Sequence, residues 1–291
     1  MTEFRGRGDS IEVFPLSFKE YLSAFDKGKE DVFNDYLLYG GLPYTLTLAT
    51  HEEKAAYLSS LFTEIYFKDI EERYSIEKEY VLEALVDSIY SSVGSLSNIK
   101  RLADSINSSL SLKAGSQVSN NTIASYLSYA EDAFLLSAAR RYDVRGKKYF
   151  ESQKKYYATD LGLRNARLNF RQIEQPHLME NAIYIYLKQK GFLVDVGVIE
   201  KSRVNENGKS ERVKYGIDFA VNKGMYQYYI QSAYSLESDE KKRKELYPFS
   251  ITGNSFKKIV VTRHELMPHY DENGIFHIGI EDFLLGDYLS G

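Results

Sequence analysis

Two carboxylates in the second half of the sequence have residue types and settings suited to metal-dependent or acid–base chemistry. Glu180 lies in a segment with helical periodicity, and Asp218 lies in the strand-like run GIDFAV. Carboxylate oxygens are ligands that Mg²⁺ prefers in proteins. The chain has no cysteine, so disulfides and thiolate metal sites are excluded. The alternative is that both residues are structural carboxylates with satisfied hydrogen bonds.

The order of these residues resembles the restriction-endonuclease-like core, in which a helix Glu is followed by a strand Asp and then by an acid-x-Lys motif. The resemblance implies a Mg²⁺ ion held by the carboxylates and a lysine that orients the attacking water. Here the second acid position is Gln231 and the lysine position is Ala233, while Lys223 lies in the turn between the two strands. We therefore expect a degenerate nuclease core, with no catalytic or metal-binding residue assigned.

A second group of residues has the chemistry for contacting nucleic acid. Residues 140–155 carry seven basic and two acidic side chains, a net charge of +5 in a protein whose overall net charge is −4. Polar side chains also open the preceding predicted helix, and helix N-termini favour phosphate contacts. Basic side chains add affinity by releasing counterions from the nucleic acid. The predicted DNA-contacting residues are Asn120, Asn121, Thr122, Arg140, Arg141, Arg145, Lys147 and Lys148.

The elements that carry these residues follow the order of a winged helix. Three segments with helical periodicity begin near residues 80, 97 and 119, and a β-hairpin with its turn at Arg145-Gly146 follows them. Three helices followed by a two-stranded hairpin form a helix-turn-helix variant. The alternatives are a solvated hairpin, a hairpin that packs against a neighbouring domain, and a winged helix that contacts only proteins.

The remaining segments complete an α+β fold. A strand is predicted at residues 11–14, and Ser17 and Glu20 have the spacing of a helix capping box. From residue 165 onward, predicted strands and helices alternate. The predicted parts are a helical linker (1–75), a winged helix-turn-helix (76–160) and a restriction-endonuclease-like α/β domain (165–291).

Composition indicates an ordinary globular protein, with 43% hydrophobic and 27% charged residues. The net charge of −4 means that nucleic-acid binding must depend on a local basic patch. No apolar run approaches the roughly 20 residues that cross a bilayer. The N-terminus also lacks the apolar core of a secretory signal. We therefore expect a cytoplasmic protein that does not contact membranes.

Eight blocks occur in a fixed order along essentially the whole chain. They are GRGDSIEVFPLSFKEYL, YLLYGGLP, LFTEIYFKDIEERY, SNNTIASYLSYAEDAFLL, RRYDVRGKK, KKYYATDLGLRNARLNF, ENAIYIYLKQKGFLVDVG and GIDFAV with YYIQSAYSL. Together they are similar to the prokaryotic AAA-type ATP-binding proteins whose C-terminal half is the domain of unknown function 4143. In that family a P-loop ATPase module precedes this region, so the resemblance implies that residues 1–75 hold the end of the ATPase module and a helical linker. The resemblance therefore implies that this sequence is the C-terminal part of a longer protein.

The resemblance assigns nucleotide chemistry to the missing module. No G-x-x-x-x-G-K-[ST] motif occurs in this sequence, so we expect no cofactor in this chain, and ATP and Mg²⁺ only with the N-terminal module. Arg7 matches the family's glycine-arginine pair. It is a candidate sensor of nucleotide or of a neighbouring subunit, and the alternative is a surface arginine at a strand edge.

The resemblance, together with the missing P-loop motif and the incomplete nuclease motif, thus implies a non-catalytic C-terminal region of an AAA-type ATPase. Its expected partners are double-stranded DNA, a protein partner or other ATPase subunits. Two alternatives stay open: a Mg²⁺-dependent DNA nuclease with a rearranged active site, and a protein-interaction module without DNA affinity. Binding of Mg²⁺ near Glu180 and Asp218 separates the nuclease from the non-catalytic region.

Overall fold

A computed structural model describes residues 11–26, 28–113, 115–204, 210–265 and 267–289. These residues form a mixed α/β protein built on one large mixed sheet. The helices in chain order are α1 (Phe18–Leu22), α2 (Lys29–Tyr39), α3 (His51–Ser60), α4 (Lys68–Tyr74), α5 (Glu79–Ser91), α6 (Ile99–Ser109), α7 (Asn120–Asp132), α8 (Leu161–Arg167), α9 (Gln175–Gln189), α10 (Asp239–Ser250) and α11 (Ile280–Leu285). A 3₁₀ segment (Pro43–Thr47) precedes α3, and a π-helical segment (Leu61–Phe67) joins α3 to α4.

The strands pair across the two halves of the chain. Their bounds are β1 (Leu96–Ser97), β2 (Leu136–Asp143), β3 (Lys148–Ala158), β4 (Leu193–Val204), β5 (Ser210–Lys223), β6 (Tyr226–Ala233), β7 (Lys257–Thr262), β8 (His269–Tyr270) and β9 (Phe276–Gly279). Within the described residues the order in the sheet is β1-β3-β2-β4-β5-β6-β7-β9-β8. The pairs β2–β4, β6–β7 and β7–β9 are parallel, and the other neighbouring pairs are antiparallel.

The predicted strand at residues 11–14 is wrong. This segment pairs with no strand of the described chain, and Ile11 and Val13 are 88% and 86% exposed. Its alternation matches a strand, but a strand also needs a neighbouring edge to accept its backbone hydrogen bonds. The capping box that follows is confirmed. The Ser17 side chain accepts from the Glu20 amide, and the Glu20 carboxylate accepts from the Ser17 amide at 2.8 Å.

Local capping hydrogen bonds also begin two of the central helices. Asn98 caps α6 by accepting hydrogen bonds from two amides of its first turn, and Ser119 caps α7 in the same way through the Thr122 amide. The helices α5, α6 and α7 are followed by the β2–β3 hairpin, as predicted. Their apolar faces form one core, which includes Leu85, Leu102 and Ile123.

The hairpin leaves the helices and joins the C-terminal strands. Near its base, Leu136 and Ala158 belong to the core of the helical half. Near its tip, β2 pairs with β4 from Arg141↔Val196 to Asp143↔Val198. The Val144 amide then donates to the carbonyl of Val198 at 3.0 Å. The hairpin is therefore a structural part of the large sheet. This arrangement agrees with the alternative in which the hairpin packs against a neighbouring domain.

Two helices cover the two faces of the C-terminal strands. Helix α9 packs its apolar residues on the face that carries Phe219 and Ile230, and we call this the α9 face. Helix α10 packs Phe249 on the face that carries Ile217 and Val260, which we call the α10 face. Apolar side chains thus cover both faces of these strands, which is typical of a central sheet between helices.

A buried polar knot joins the first and second thirds of the chain. The Asp160 carboxylate is buried and accepts from the amides of Gly41 (2.8 Å) and Leu163 (2.9 Å). A β-carbon on Gly40, whose φ is +71°, would overlap with the Asp160 carboxylate. The Asn165 side chain donates to the carbonyl of Leu37 at 2.9 Å. The contacts between the blocks YLLYGGLP and KKYYATDLGLRNARLNF are therefore structural.

No helix within the described residues is both long and apolar enough to cross a lipid bilayer.

Candidate functional site

A bulge in β5 directs Asp218 towards α9. Between Asp195↔Ala220 and Gly197↔Ile217, β5 uses one residue more than β4. The extra residue leaves Asp218 and Phe219 on the same α9 face, because Ile217 and Ala220 both contribute to the core of the α10 face. Bulges of this kind re-aim a side chain and are frequent at functional sites.

Three charged side chains meet on the α9 face. The Lys155 Nζ atom lies 2.8 Å from Glu180 Oε1 and 2.9 Å from Asp218 Oδ1. Tyr157 donates its hydroxyl to Glu180 Oε1 at 2.8 Å, and the Ser232 amide donates to Asp218 Oδ2 at 3.1 Å. The side chains of Lys155, Glu180 and Asp218 are 11%, 14% and 17% exposed. We call these three residues the lysine–carboxylate cluster.

The cluster brings together elements that are distant in sequence. Helix α9 supplies Glu180 and is fixed to β3 by Asn181, whose side chain accepts from the Ala158 amide and donates to the Ala158 carbonyl. Gly94, with φ of +76°, leaves room for the Glu180 carboxylate, since a β-carbon there would lie 3.0 Å from Oε1. A side chain at this position would push Glu180 away from Lys155.

The surroundings of the cluster raise the pKa of both Lys155 and Glu180. Burial raises the pKa of Glu180, repulsion from Asp218 raises it further, and Lys155 and Tyr157 oppose both effects, giving a value of about 7. Burial lowers the pKa of Lys155, but attraction to Asp218 and Glu180 outweighs it and raises the pKa above its ordinary value. Lys155 is therefore an ammonium at neutral pH, and Glu180 titrates there.

The cluster as it stands does not fit Mg²⁺. The ammonium of Lys155 lies between the two carboxylates, and within the described residues no group of three His, Cys, Asp or Glu side chains could hold a metal ion. The third predicted position, Gln231, donates its amide to Glu245 of α10 at 2.9 Å and accepts from the Asp218 amide at 3.3 Å. Gln231 therefore touches the Asp218 backbone and the α10 helix, and it adds no carboxylate.

Sequence reasoning missed the role of Lys155. It was included among the basic residues of the hairpin, and the search for a nuclease lysine ended at Ala233, which is buried. One signal was present in KKYYA, where Lys155 alternates with Tyr157 on one side of a strand. A lysine on the side of a strand that buries a tyrosine requires a partner for its charge.

The predicted basic residues of the hairpin do not share one face. Arg145, Lys147 and Lys148 are exposed at and beside the turn. Arg140 is exposed, with its guanidinium carbon 4.0 Å from the centroid of the Tyr149 ring. Arg141 is buried and donates to the side chain of Gln153. Four of the five predicted hairpin cations are thus available to an external anion.

The polar residues at the start of α7 line a different surface. Asn120 and Asn121 are exposed. Asn121 and Thr122 line a cleft of about 480 Å³ together with residues 74–78, which connect α4 to α5. Arg7, the candidate nucleotide sensor, lies outside the described residues.

Comparisons with known proteins give relatives without a stated activity. A family model described as a domain of unknown function (DUF8612) matches residues 30–174, which include the hairpin and Lys155 but not Glu180 or Asp218. An uncharacterized protein of Haemophilus influenzae is 28% identical over 293 residues, covering 99% of this chain and 66% of the relative. An uncharacterized protein of Methanocaldococcus jannaschii is 25% identical over 255 residues, covering 84% of this chain and 54% of the relative. The chain spans less than two thirds of the length of these curated relatives.

Among solved structures, the crystal structure of protein VC1899 from Vibrio cholerae is similar at 11% sequence identity. The likeness covers 98% of this chain and 62% of that chain, with a TM-score of 0.24. Likeness at this level carries no argument about fold or function.

Proposed function

We propose that this chain is a non-catalytic region that binds double-stranded DNA and works as part of an AAA-type ATPase. The helices α5 to α7 and the hairpin act as a winged helix, and the C-terminal half acts as an inactive endonuclease-like scaffold. The hairpin tip supplies the main phosphate contacts. ATP and Mg²⁺ are used by the ATPase module of the longer protein, outside this chain.

One observation supports this proposal above the others. The cation between Glu180 and Asp218 is the protein's own Lys155, held by two ion pairs of 2.8 and 2.9 Å. An ammonium in this position neutralises the carboxylates that a nuclease would offer to a metal. The exposed cations Arg145, Lys147 and Lys148 stay available at the tip. Together these features suit binding without cleavage.

The test is equilibrium binding of a fluorescent DNA duplex at several salt concentrations. The variant Lys147→Glu/Lys148→Glu should bind more weakly, and its slope of log K against log salt should be shallower by about 2, since each neutralised phosphate releases about 0.9 counterions. The matched control is Lys241→Glu/Lys244→Glu, which makes the same charge change on the exposed side of α10. Undetectable binding of the unaltered chain at low salt would leave a protein partner as the function.

A Mg²⁺-dependent nuclease is the second candidate, and the residue types of the cluster favour it, although the position of the Lys155 ammonium opposes metal binding. The acid-x-Lys motif has Ala233 where a nuclease has its lysine, but Lys155 from β3 lies beside both carboxylates instead. This activity requires Lys155 to leave its place between the carboxylates. Incubation of supercoiled plasmid with Mg²⁺ or Mn²⁺ tests it. Nicking that disappears in Asp218→Ala would replace the non-catalytic proposal.

A further inference from the structure

We propose that a second strip of the sheet receives the phosphodiester backbone of the same DNA duplex. The strip is one face of an arm formed by residues 199–204 of β4 and 210–216 of β5, and its contact residues are Arg212 and Lys214. This inference rests on the proposed DNA-binding function. It adds a surface about 60 residues away in sequence from the hairpin that sequence reasoning identified.

The pairing register determines which side of the arm these residues occupy. Residues directly opposite each other in an antiparallel pair share a face, and successive residues alternate. Lys214 pairs with Glu200, and Arg212 pairs with Ser202. Lys201 and Arg203 therefore lie on the opposite face, as the hydrogen bond from Lys201 to the Tyr247 hydroxyl of α10 requires (3.0 Å).

The Arg212 face is continuous with the lysine–carboxylate cluster. Every second residue of β5 lies on the same face, so the α9 face carries Gly216, Lys214 and Arg212. The bulge also directs Asp218 to this face. At about 3.3 Å per residue, Lys214 lies roughly 13 Å and Arg212 roughly 20 Å along the strand from Asp218. A duplex that lies on this face would extend from the arm towards the cluster.

The hairpin adds basic residues to the same face. The ring of Phe150 lies below two cations, with its centroid 5.0 Å from the Arg141 guanidinium carbon and 5.4 Å from Lys214 Nζ. Lys148 alternates with Phe150 on β3 and is exposed. The arm and the hairpin tip therefore form one surface rather than two.

Arg141 indicates that this surface lacks a full counter-charge of its own. The residue is buried, and its Nε atom has no hydrogen-bond acceptor among the residues that the structure describes. Burial lowers the pKa of this guanidinium, and Glu200 opposes that effect. A buried cation without a full set of partners is costly, so an anion placed nearby is stabilising.

Charge complementarity identifies the occupant as a phosphate backbone. The face carries the cations Arg141, Lys148, Arg212 and Lys214. Among the described residues of this face, Glu200 pairs with Lys214 at 3.1 Å, and Asp143 accepts from the amides of its own turn. Glu180 and Asp218 are paired with Lys155. With Arg145 and Lys147 at the tip, the excess is positive, and repeated cations along a strand suit a repeated anion.

The experiment compares the two faces of the same arm. Arg212→Glu/Lys214→Glu and Lys201→Glu/Arg203→Glu make identical charge changes on opposite faces of the paired strands. We expect the first variant to reduce affinity for a fluorescent duplex at least tenfold at low salt and the second to change it less than threefold. Far-UV circular dichroism melts verify that both variants fold, and Arg212→Ala/Lys214→Ala measures the same loss without charge reversal.

The outcomes separate this inference from the proposed function. Equal loss from both faces, or no loss from Arg212→Glu/Lys214→Glu, overturns the assignment of the face. If Lys147→Glu/Lys148→Glu still weakens binding in that case, DNA binding at the hairpin tip stands without the arm. If the unaltered chain binds no duplex at low salt, both proposals are wrong.

Discussion

Two acidic residues, the buried Asp160 and the partly buried Glu180, differ in what surrounds them. Asp160 receives its hydrogen bonds from backbone amides, which side-chain rotation cannot move. Glu180 receives its hydrogen bonds from the side chains of Lys155 and Tyr157, and it remains slightly exposed. The first arrangement fixes chain segments together. The second can be rearranged by a ligand, because side chains can rotate while the backbone stays in place.

The largest expected effect is at the Asp160 knot. In Gly40→Ala the new β-carbon would overlap with the Asp160 carboxylate, and φ of +71° is strained for alanine. We expect the free energy of unfolding to fall by about 4 kcal/mol, from overpacking and left-handed backbone together. Urea unfolding followed by circular dichroism measures it. Gly216→Ala is the control, since its β-carbon meets nothing within 4 Å, and an equal loss there would contradict the knot.

The next effect is at the lysine–carboxylate cluster. Lys155→Met leaves Glu180 and Asp218 close together without their cation, which should cost about 3 kcal/mol at pH 8. Lys154→Met, on the neighbouring residue, should cost much less. In the double variant Lys155→Met/Glu180→Gln, part of the stability should return, because only one carboxylate then stays unpaired. Simple additivity of the two substitutions would show that the residues are not coupled.

The smallest expected effect is a pH dependence that distinguishes the two acids. The folded-state pKa of Glu180, about 7, lies above its unfolded value of 4.5, so the folded state binds more protons between these values. The stabilising contribution of Glu180 is therefore complete below about pH 4.5 and is lost as the pH rises through 7. Glu180→Gln should remove this loss when urea midpoints are compared at pH 5 and pH 8.

Asp160 provides the internal reference for that measurement. Burial raises its pKa to about 6 against the opposing hydrogen bonds of Leu163, Gly41 and Gly162. Its contribution has the same sign and is lost as the pH rises from about 4 to 6. Because Glu180→Gln leaves Asp160 in place, the variant should keep this lower part of the pH profile. A profile identical to that of the unaltered chain would mean that Glu180 does not titrate near neutrality.

The sequence predicted the elements whose signals are local. The capping box at Ser17 and the hairpin turn at Arg145-Gly146 each depend on a few adjacent residues, and each is present. The segment 11–14 failed because its alternation carries no information about a neighbouring edge.

The candidate site was predicted only in part, because its geometry is long-range. Glu180 and Asp218 were selected from their settings and do meet Lys155. The contact of Lys155 with Asp218 joins residues 63 positions apart, and it depends on the bulge that turns Asp218 towards α9. Neither the bulge nor the pairing of β2 with β4 has a local signature in composition or periodicity.

The parallel pairing of β2 with β4 has a consequence for synthesis on the ribosome. Val198 emerges 55 residues after its partner Asp143. At 5–20 residues per second, the Asp143 end of β2 is made roughly 3–11 s before its partner residue. During this interval the edge of β2 near Arg141 lacks its partner strand. Positively charged side chains beside an unpaired edge disfavour its pairing with another strand.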